Sequence, residues 1–347
     1  MVKTVGIVSL SSGVLGESFA AHELKIGEER LRALGLSVKY MPHAKMGMAY
    51  LRAHSEARAA DLLAAFRDPE VDMILCAIGG DDTYRLAPYL FENGELQKAV
   101  TNKIFLGFSD TTVNHFMLHK VGLPTFYGQA FLPDVCELGA DMLPYTRRYF
   151  EELIRTGRIA AVTPSDTWYE TRKDFSAGQV GIDMPAYKND GFELLRGHAH
   201  FEGEILGGCI DTFFDMFDGT RYADMPDVIR RYGLFPAAEA WRGKILLLES
   251  SEEQPSPEKY RRALEYLRDA GVFAAVSGVL VGKPMDDLHH AAYKQALLEV
   301  IPDTELPIVC NLQVGHAQPR GILPLGVHAT VDADAQRITF AYGESGR

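Results

Sequence analysis

The segment from Val71 to Ile78 is nearly all apolar and stops abruptly at Gly79-Gly80-Asp81-Asp82. A run this short and this apolar predicts a strand covered on both faces. The rest of the first half is consistent with that demand. Val5 to Leu10 reads as a first buried strand followed by a Ser11-Ser12-Gly13 loop, and Ser37 to Tyr40 as a short one. Helix patterns run from Glu23 to Leu34 with Gly35 as a stop, from Arg52 to Phe66 before Asp68-Pro69, and from Asp82 to Leu90. Ile104 to Leu106 is the next strand. Strands alternating with helices predict an α/β fold, a parallel sheet with helices on both faces.

Between Leu132 and Asn189 the regularity fails, and the spacing predicts a linker with a long loop carrying Trp168 and Phe175. Beyond it, Glu193 to Leu206 alternates like β-structure and Gly207-Gly208 leads into a helix from Cys209 to Phe217. Apolar strands are expected at Lys244 to Leu248, Val276 to Val281 and Ile308 to Asn311, with helices over Glu258–Ala270 and Tyr293–Ile301. Gly326 to Tyr342 alternates like a β-hairpin. The domains expected are therefore 1–165, a linker and binding loop at 166–190, and a β-rich part at 191–347.

A net charge of −12 argues against a nucleic-acid backbone or an anionic membrane as partner, and leaves a small-molecule substrate open. Cys76, Cys136, Cys209 and Cys310 are widely spaced without a C-x-x-C pair, so reduced, buried thiols are expected. The N-terminus enters a strand at once and no stretch approaches a membrane span, which predicts a cytoplasmic protein.

The chemistry concentrates where strands end. Gly107-Phe108-Ser109-Asp110-Thr111-Thr112 has the layout of a strand, a tight turn and a helix, with Ser109 at the corner. A corner serine is exposed above a sheet edge, beside N–H groups of a helix N-terminus; a serine that merely caps a helix reads the same way. Glu249 follows Ile245-Leu246-Leu247-Leu248, and His316 follows another buried strand in Gln313-Val314-Gly315-His316. Nucleophile, base and orienting acid are the parts serine catalysis needs, although a strand-end Glu is usually solvated and a lone His usually a loop residue. Gly79-Gly80 lets backbone N–H groups approach a ligand closely, as an oxyanion hole or as a plain turn. Asp286-Asp287-Leu288-His289-His290 reads as a solvated turn, and His198-Ala199-His200 lacks a third ligand, so no metal and no cofactor are expected.

Taken together, Ala77-Ile78-Gly79-Gly80-Asp81-Asp82, Gly107 to Thr112 and Phe126-Tyr127-Gly128 resemble the LD-carboxypeptidase family of serine peptidases. So do Gly203 to Gly208, Glu249, Gly282-Lys283-Pro284, Val314-Gly315-His316 and Leu323-Pro324-Leu325-Gly326, across nearly the whole chain. The resemblance implies a flavodoxin-like N-terminal half, a smaller β-rich C-terminal half, and a homodimer. It places Ser109 as nucleophile, Glu249 and His316 as its partners, and the N–H groups of Gly80, Asp81 and Asp110 as oxyanion donors. Cys209 departs from the Asn that many relatives carry after the paired glycines. One branch of the family removes terminal D-alanine from murein tetrapeptides. The other resembles the microcin C immunity hydrolases, which cleave an aminoacyl group from a nucleotide-like moiety. The long loop with Trp168 and Phe175, and Lys283 in Gly282-Lys283-Pro284, favour the second branch, where loop aromatics stack on adenine; Trp168 as a plain loop anchor is the alternative. A non-catalytic binding protein using the same residues is the remaining reading.

Overall fold

Thr4–Val8 (β1), Ser37–Tyr40 (β2), Met73–Cys76 (β3), Ile104–Gly107 (β4) and Thr125–Tyr127 (β5) are short, and all but β2 are largely buried. They pair in parallel in the order β2-β1-β3-β4-β5. That order reverses direction between β1 and β3, and in open α/β sheets the loops at the carboxyl ends of such strands hold ligands. The computed structural model describes residues 1–343; the last four residues of the expected C-terminal part lie outside them. The described chain forms two compact units: Met1–Arg158 with Arg172–Met184, and Ile159–Thr171 with the chain from Pro185 onward.

The second unit holds Ala161–Val162 (β6), Thr167–Tyr169 (β7), Ala186–Lys188 (β8), Glu193–Arg196 (β9) and His200–Cys209 (β10). Lys244–Glu249 (β11), Gly278–Gly282 (β12), Ile308–Leu312 (β13), Leu323–Leu325 (β14), His328–Asp332 (β15) and Arg337–Ala341 (β16) complete it. Its mixed sheet runs β6-β16-β15-β10-β11-β12-β13-β9. The central pairs β10–β11, β11–β12 and β12–β13 are parallel, and the apolar residues of β11 to β13 are buried, as two-sided coverage requires.

Three expectations need correction. The stretch read as linker and loop contains a helix, Pro144–Thr156, that buries Tyr149, Phe150, Leu153 and Ile154. Its apolar residues keep i, i+3, i+4 spacing between Pro144 at the start and left-handed Gly157 at the end; interleaved Arg and Glu residues obscured the pattern. Arg52 to Phe66 is two helices, Met48–Ala53 and Ser55–Arg67, broken at His54. Asp82 to Leu90 is a 3-10 turn, Thr83–Leu86, followed by a helix, Ala87–Phe91, that starts where Pro88 is tolerated. All four cysteines are buried and unpaired with one another. No helix among the described residues is long and apolar enough to cross a membrane.

Candidate active site

The expected catalytic residues fall into two groups, one in each unit. In the first unit, β4 ends at Gly107 and the chain turns through Ser109, whose φ of +67° lies in the left-handed region. A non-glycine residue held there carries roughly 1–3 kcal/mol of strain, tolerated only where the surroundings enforce it. The Thr111 hydroxyl donates to the Phe108 carbonyl (2.7 Å), the Thr112 hydroxyl to the Ser109 carbonyl (2.7 Å), and the Ser109 N–H to the Tyr127 hydroxyl (3.2 Å). The elbow is thus clipped at the Phe108 carbonyl and at the Ser109 N–H and carbonyl, and the helix Thr112–Lys120 follows directly.

Gly79 is glycine because Ser109 is its neighbour. A Cβ on Gly79 would come within 2.6 Å of Ser109 Cβ and 2.7 Å of its Oγ. Gly80 adopts φ +153° and lies against the Ser11 side chain, while the Ser12 N–H donates to the Gly79 carbonyl (3.1 Å). The side chain of Asp110 ties these loops together. Its carboxylate accepts from the Ser11 hydroxyl (2.6 Å) and from the Thr83 N–H (2.9 Å). Complete burial pushes that carboxyl up to about 7, against the two hydrogen bonds, which pull it down. Below the turn, fully buried Arg58 pairs with Asp82 through both Nη atoms (2.5 and 3.2 Å) and donates to the Leu10 and Ser11 carbonyls. Sequence reasoning missed Ser11, Arg58 and the Asp110 side chain. Their signal was position alone: Ser11 lies in the loop after β1, the strand paired with β3 that leads to Gly79, and Asp82 closes the glycine turn.

In the second unit, Glu249 ends β11 and is 1% exposed. Its Oε2 accepts from the His316 Nδ1 (2.7 Å) and from the His316 backbone N–H (3.2 Å). Gly315, at φ +84°, leaves the space that the Glu249 carboxylate fills; a Cβ there would overlap it. Arg320 donates to the Gly315 and His316 carbonyls and fixes the loop from behind. The other ring nitrogen, Nε2, lies 2.9 Å from Glu252, a contact the sequence did not reveal. Burial alone would lower the imidazole; Glu249 and then Glu252 outweigh it and raise His316 to about 10.

Cys209 pairs with Glu249 across β10 and β11, and among the described residues Cys209, Glu249 and His316 offer possible ligand atoms within 4.8 Å of one another. A metal would need the thiolate, and burial with the nearby Glu249 and Asp211 carboxylates holds the Cys209 thiol well above its ordinary value. Glu249 Oε2 is also committed twice to His316. The trio therefore fits a hydrogen-bonded acid–base pair beside a neutral thiol better than a metal centre.

Trp168 and Lys283 come together in the second unit. The Trp168 ring stacks on Tyr187 across β7 and β8 (centroids 4.6 Å apart, 21° between planes), and the Lys283 ammonium stands 5.0 Å from the Trp168 centroid. Lys283 is also bonded to Asp287 (2.6 Å), and Asp286 accepts from the Thr171 N–H (2.7 Å). The Asp286–His290 segment is thus the support of the Trp168 hairpin. Phe175 belongs to the first unit and is 54% exposed, its carbonyl 2.9 Å from the His22 ring.

Residues 5–128 match the LD-carboxypeptidase N-terminal domain and residues 202–331 the LD-carboxypeptidase C-terminal domain. A carboxypeptidase-family protein of Treponema pallidum is 30% identical over 322 residues, 90% of this chain and 85% of that one. The microcin C7 self-immunity protein MccF of Escherichia coli is 26% identical over 292 residues (82% and 77%). A protein of Bacillus subtilis named "Probable murein peptide carboxypeptidase" is 27% identical over 322 residues (91% and 86%). Among solved structures, an MccF-like protein from Streptococcus pneumoniae in complex with AMP superposes with a TM-score of 0.97 at 57% identity, covering 99% of both chains. MccF in complex with aspartyl sulfamoyl adenosine shares the fold, with a TM-score of 0.79 at 23% identity over 98% of this chain and 96% of that one. The chain therefore belongs to the LD-carboxypeptidase family of serine peptidases and is a hydrolase of that family.

Proposed function

We propose that this protein cleaves the amide-type bond joining an aminoacyl or peptidyl group to a nucleotide-like moiety, with Ser109 as nucleophile. Ser109 Oγ attacks the carbonyl carbon while His316 Nε2 takes its proton, and Glu249 holds the imidazole through Nδ1. The N–H groups of Gly80, Asp81 and Asp110 receive the oxyanion. Collapse of the tetrahedral intermediate breaks the bond to the leaving nitrogen, which takes the proton from His316 and departs as the amine. Water, deprotonated by His316, then hydrolyses the acyl-Ser109 ester. The left-handed elbow at Ser109 and the buried Glu249–His316 pair support this chemistry.

The observation that carries the nucleotide half of the reading is the Trp168 ring, stacked on Tyr187 with the Lys283 ammonium close by. An aromatic platform beside a cation suits a base and the anionic group joined to it. The AMP bound by the pneumococcal MccF-like protein and the aspartyl sulfamoyl adenosine bound by MccF have that chemistry.

The test is hydrolysis followed by mass spectrometry, with the Ser109→Ala protein as control. One reaction holds an aminoacyl sulfamoyl adenosine and the other a murein tetrapeptide ending in D-alanine. Release of the amino acid from the first alone is expected. Loss of D-alanine from the second alone would assign the murein branch, which the Bacillus subtilis relative represents. Binding without turnover, and without labelling of Ser109 by a fluorophosphonate, would make the protein a binder.

A further inference from the structure

His316 is held between two carboxylates. Nδ1 is 2.7 Å from Glu249 and Nε2 is 2.9 Å from Glu252. A carboxylate only accepts, so both ring nitrogens carry protons and the ring is an imidazolium. In that state Nε2 cannot take a proton from a hydroxyl. The two carboxylates differ in one decisive respect. Glu249 has no side-chain exposure, whereas the Glu252 side chain is 64% exposed, on the loop that follows β11. Glu249 is enclosed, whereas Glu252 borders solvent.

We propose that Glu252 couples recognition of an ammonium group on the acyl part of the substrate to activation of His316. Its carboxylate holds Nε2 in the free protein and transfers to the substrate's ammonium when an acyl group with a free amine binds. The exchange replaces one charge-assisted hydrogen bond by another, so its net cost is small. It leaves Glu249 as the carboxylate on the ring, and the Nε2 proton then passes to solvent. A neutral or anionic acyl group offers Glu252 no such partner, and the base stays protonated. The other charged and titratable groups close by do not take over this task. Arg320 is committed to the Gly315 and His316 carbonyls, Asp211 to Lys259 and the Ser251 N–H, and Cys209 is a buried thiol. The high proton affinity of His316, and a Glu252 carboxyl held down to about 2 against its desolvation, first by the hydrogen bond from His316 and then by the His316 charge, agree with the pairing.

The inference rests on the aminoacyl reading above and deepens it, so its test is read separately from turnover. The His316 ring is titrated by NMR in the inactive Ser109→Ala protein, alone, with an aminoacyl sulfamoyl adenosine, and with its N-acetyl counterpart. The free-amine ligand is expected to lower the pH of the His316 transition by at least about one unit, while the N-acetyl ligand leaves it in place. Adding Glu252→Gln should lower the transition by a similar amount without any ligand and remove the difference between the two. The same transition in Ser109→Ala with and without Glu252→Gln, or an equal response to the two ligands, overturns the proposal. Turnover by the wild-type protein judges the aminoacyl reading by itself.

Discussion

Glu249 Oε2 accepts two hydrogen bonds from one residue, from the Nδ1 and from the backbone N–H of His316. The first sets the tautomer and charge of the ring; the second sets where the ring begins. Glu249→Gln keeps the shape but removes the charge and offers an amide in the acceptor's place. We expect kcat to fall on the order of 10³–10⁴-fold with KM changed little, measured on the substrate that passes the hydrolysis test. A loss below about 10-fold would mean that Glu249 does not orient the base.

The same pair makes stability depend on pH in a defined window. An unfolded histidine titrates near ~6.5, whereas His316 in the fold is raised to about 10. Between these values the native state holds a proton that the unfolded state has released. The contribution is fully present below about 6.5 and is lost as pH rises through about 10. Urea unfolding at pH 6 and pH 9 should therefore show a larger drop for the wild type than for His316→Gln. Equal drops would mean that the folded ring titrates normally.

Gly79 offers a test of the elbow that leaves every polar group in place. Its missing Cβ is the space used by the Ser109 side chain, 2.6 Å away at the nearest atom. Gly79→Ala must displace either the glycine turn or the serine, and a shift of about 1 Å typically costs on the order of 100-fold in rate. We expect kcat to fall by at least about that factor, with fluorophosphonate labelling of Ser109 slowed in parallel. Full activity would place the reacting serine elsewhere.

The strand-ends were legible because the apolar runs were. Val71–Ile78 and Lys244–Leu248 have few polar residues, so their termini, and with them Gly79 and Glu249, stood out. Gly315 before His316 was also visible, although only the structure shows that the glycine makes room for a carboxylate. Glu252 was not legible. It sits beside Glu253 in a polar run, and periodicity does not tell which of two adjacent carboxylates turns to the ring. Arg58 looked like one more charge on a helix; full burial against Asp82 is set by tertiary packing that local pattern does not encode.

Trp168 stacks one face on Tyr187, and Lys283 stands beside the ring. If it is the platform for a base, Trp168→Ala should weaken AMP binding by roughly 5- to 150-fold, the range of ~1–3 kcal/mol for one stacked base. Trp168→Phe, which keeps a flat ring, should recover most of it. Calorimetric titration with AMP measures both. Unchanged affinity in the Ala variant would leave Trp168 as an anchor of its hairpin.

Asp110 joins three strand ends through one carboxyl, and its proton affinity makes that joint testable. Burial raises it to about 7, against an unfolded value near ~3.9. Between those values the folded protein keeps a proton that the unfolded chain gives up, so this group lowers stability as pH rises from about 4 to about 7. Asp110→Asn stays neutral throughout, and its amide can still accept from Thr83 and face the Ser11 hydroxyl. The Asn variant should therefore gain stability relative to wild type between pH 4.5 and pH 7.5. Asp110→Ala leaves the Thr83 N–H and the Ser11 hydroxyl without that acceptor, costing about 1–3 kcal/mol for each group left unsatisfied. Urea unfolding of the three proteins at both pH values decides the matter. An Asn variant whose difference from wild type is the same at both would mean that the carboxyl titrates as an ordinary exposed aspartate does.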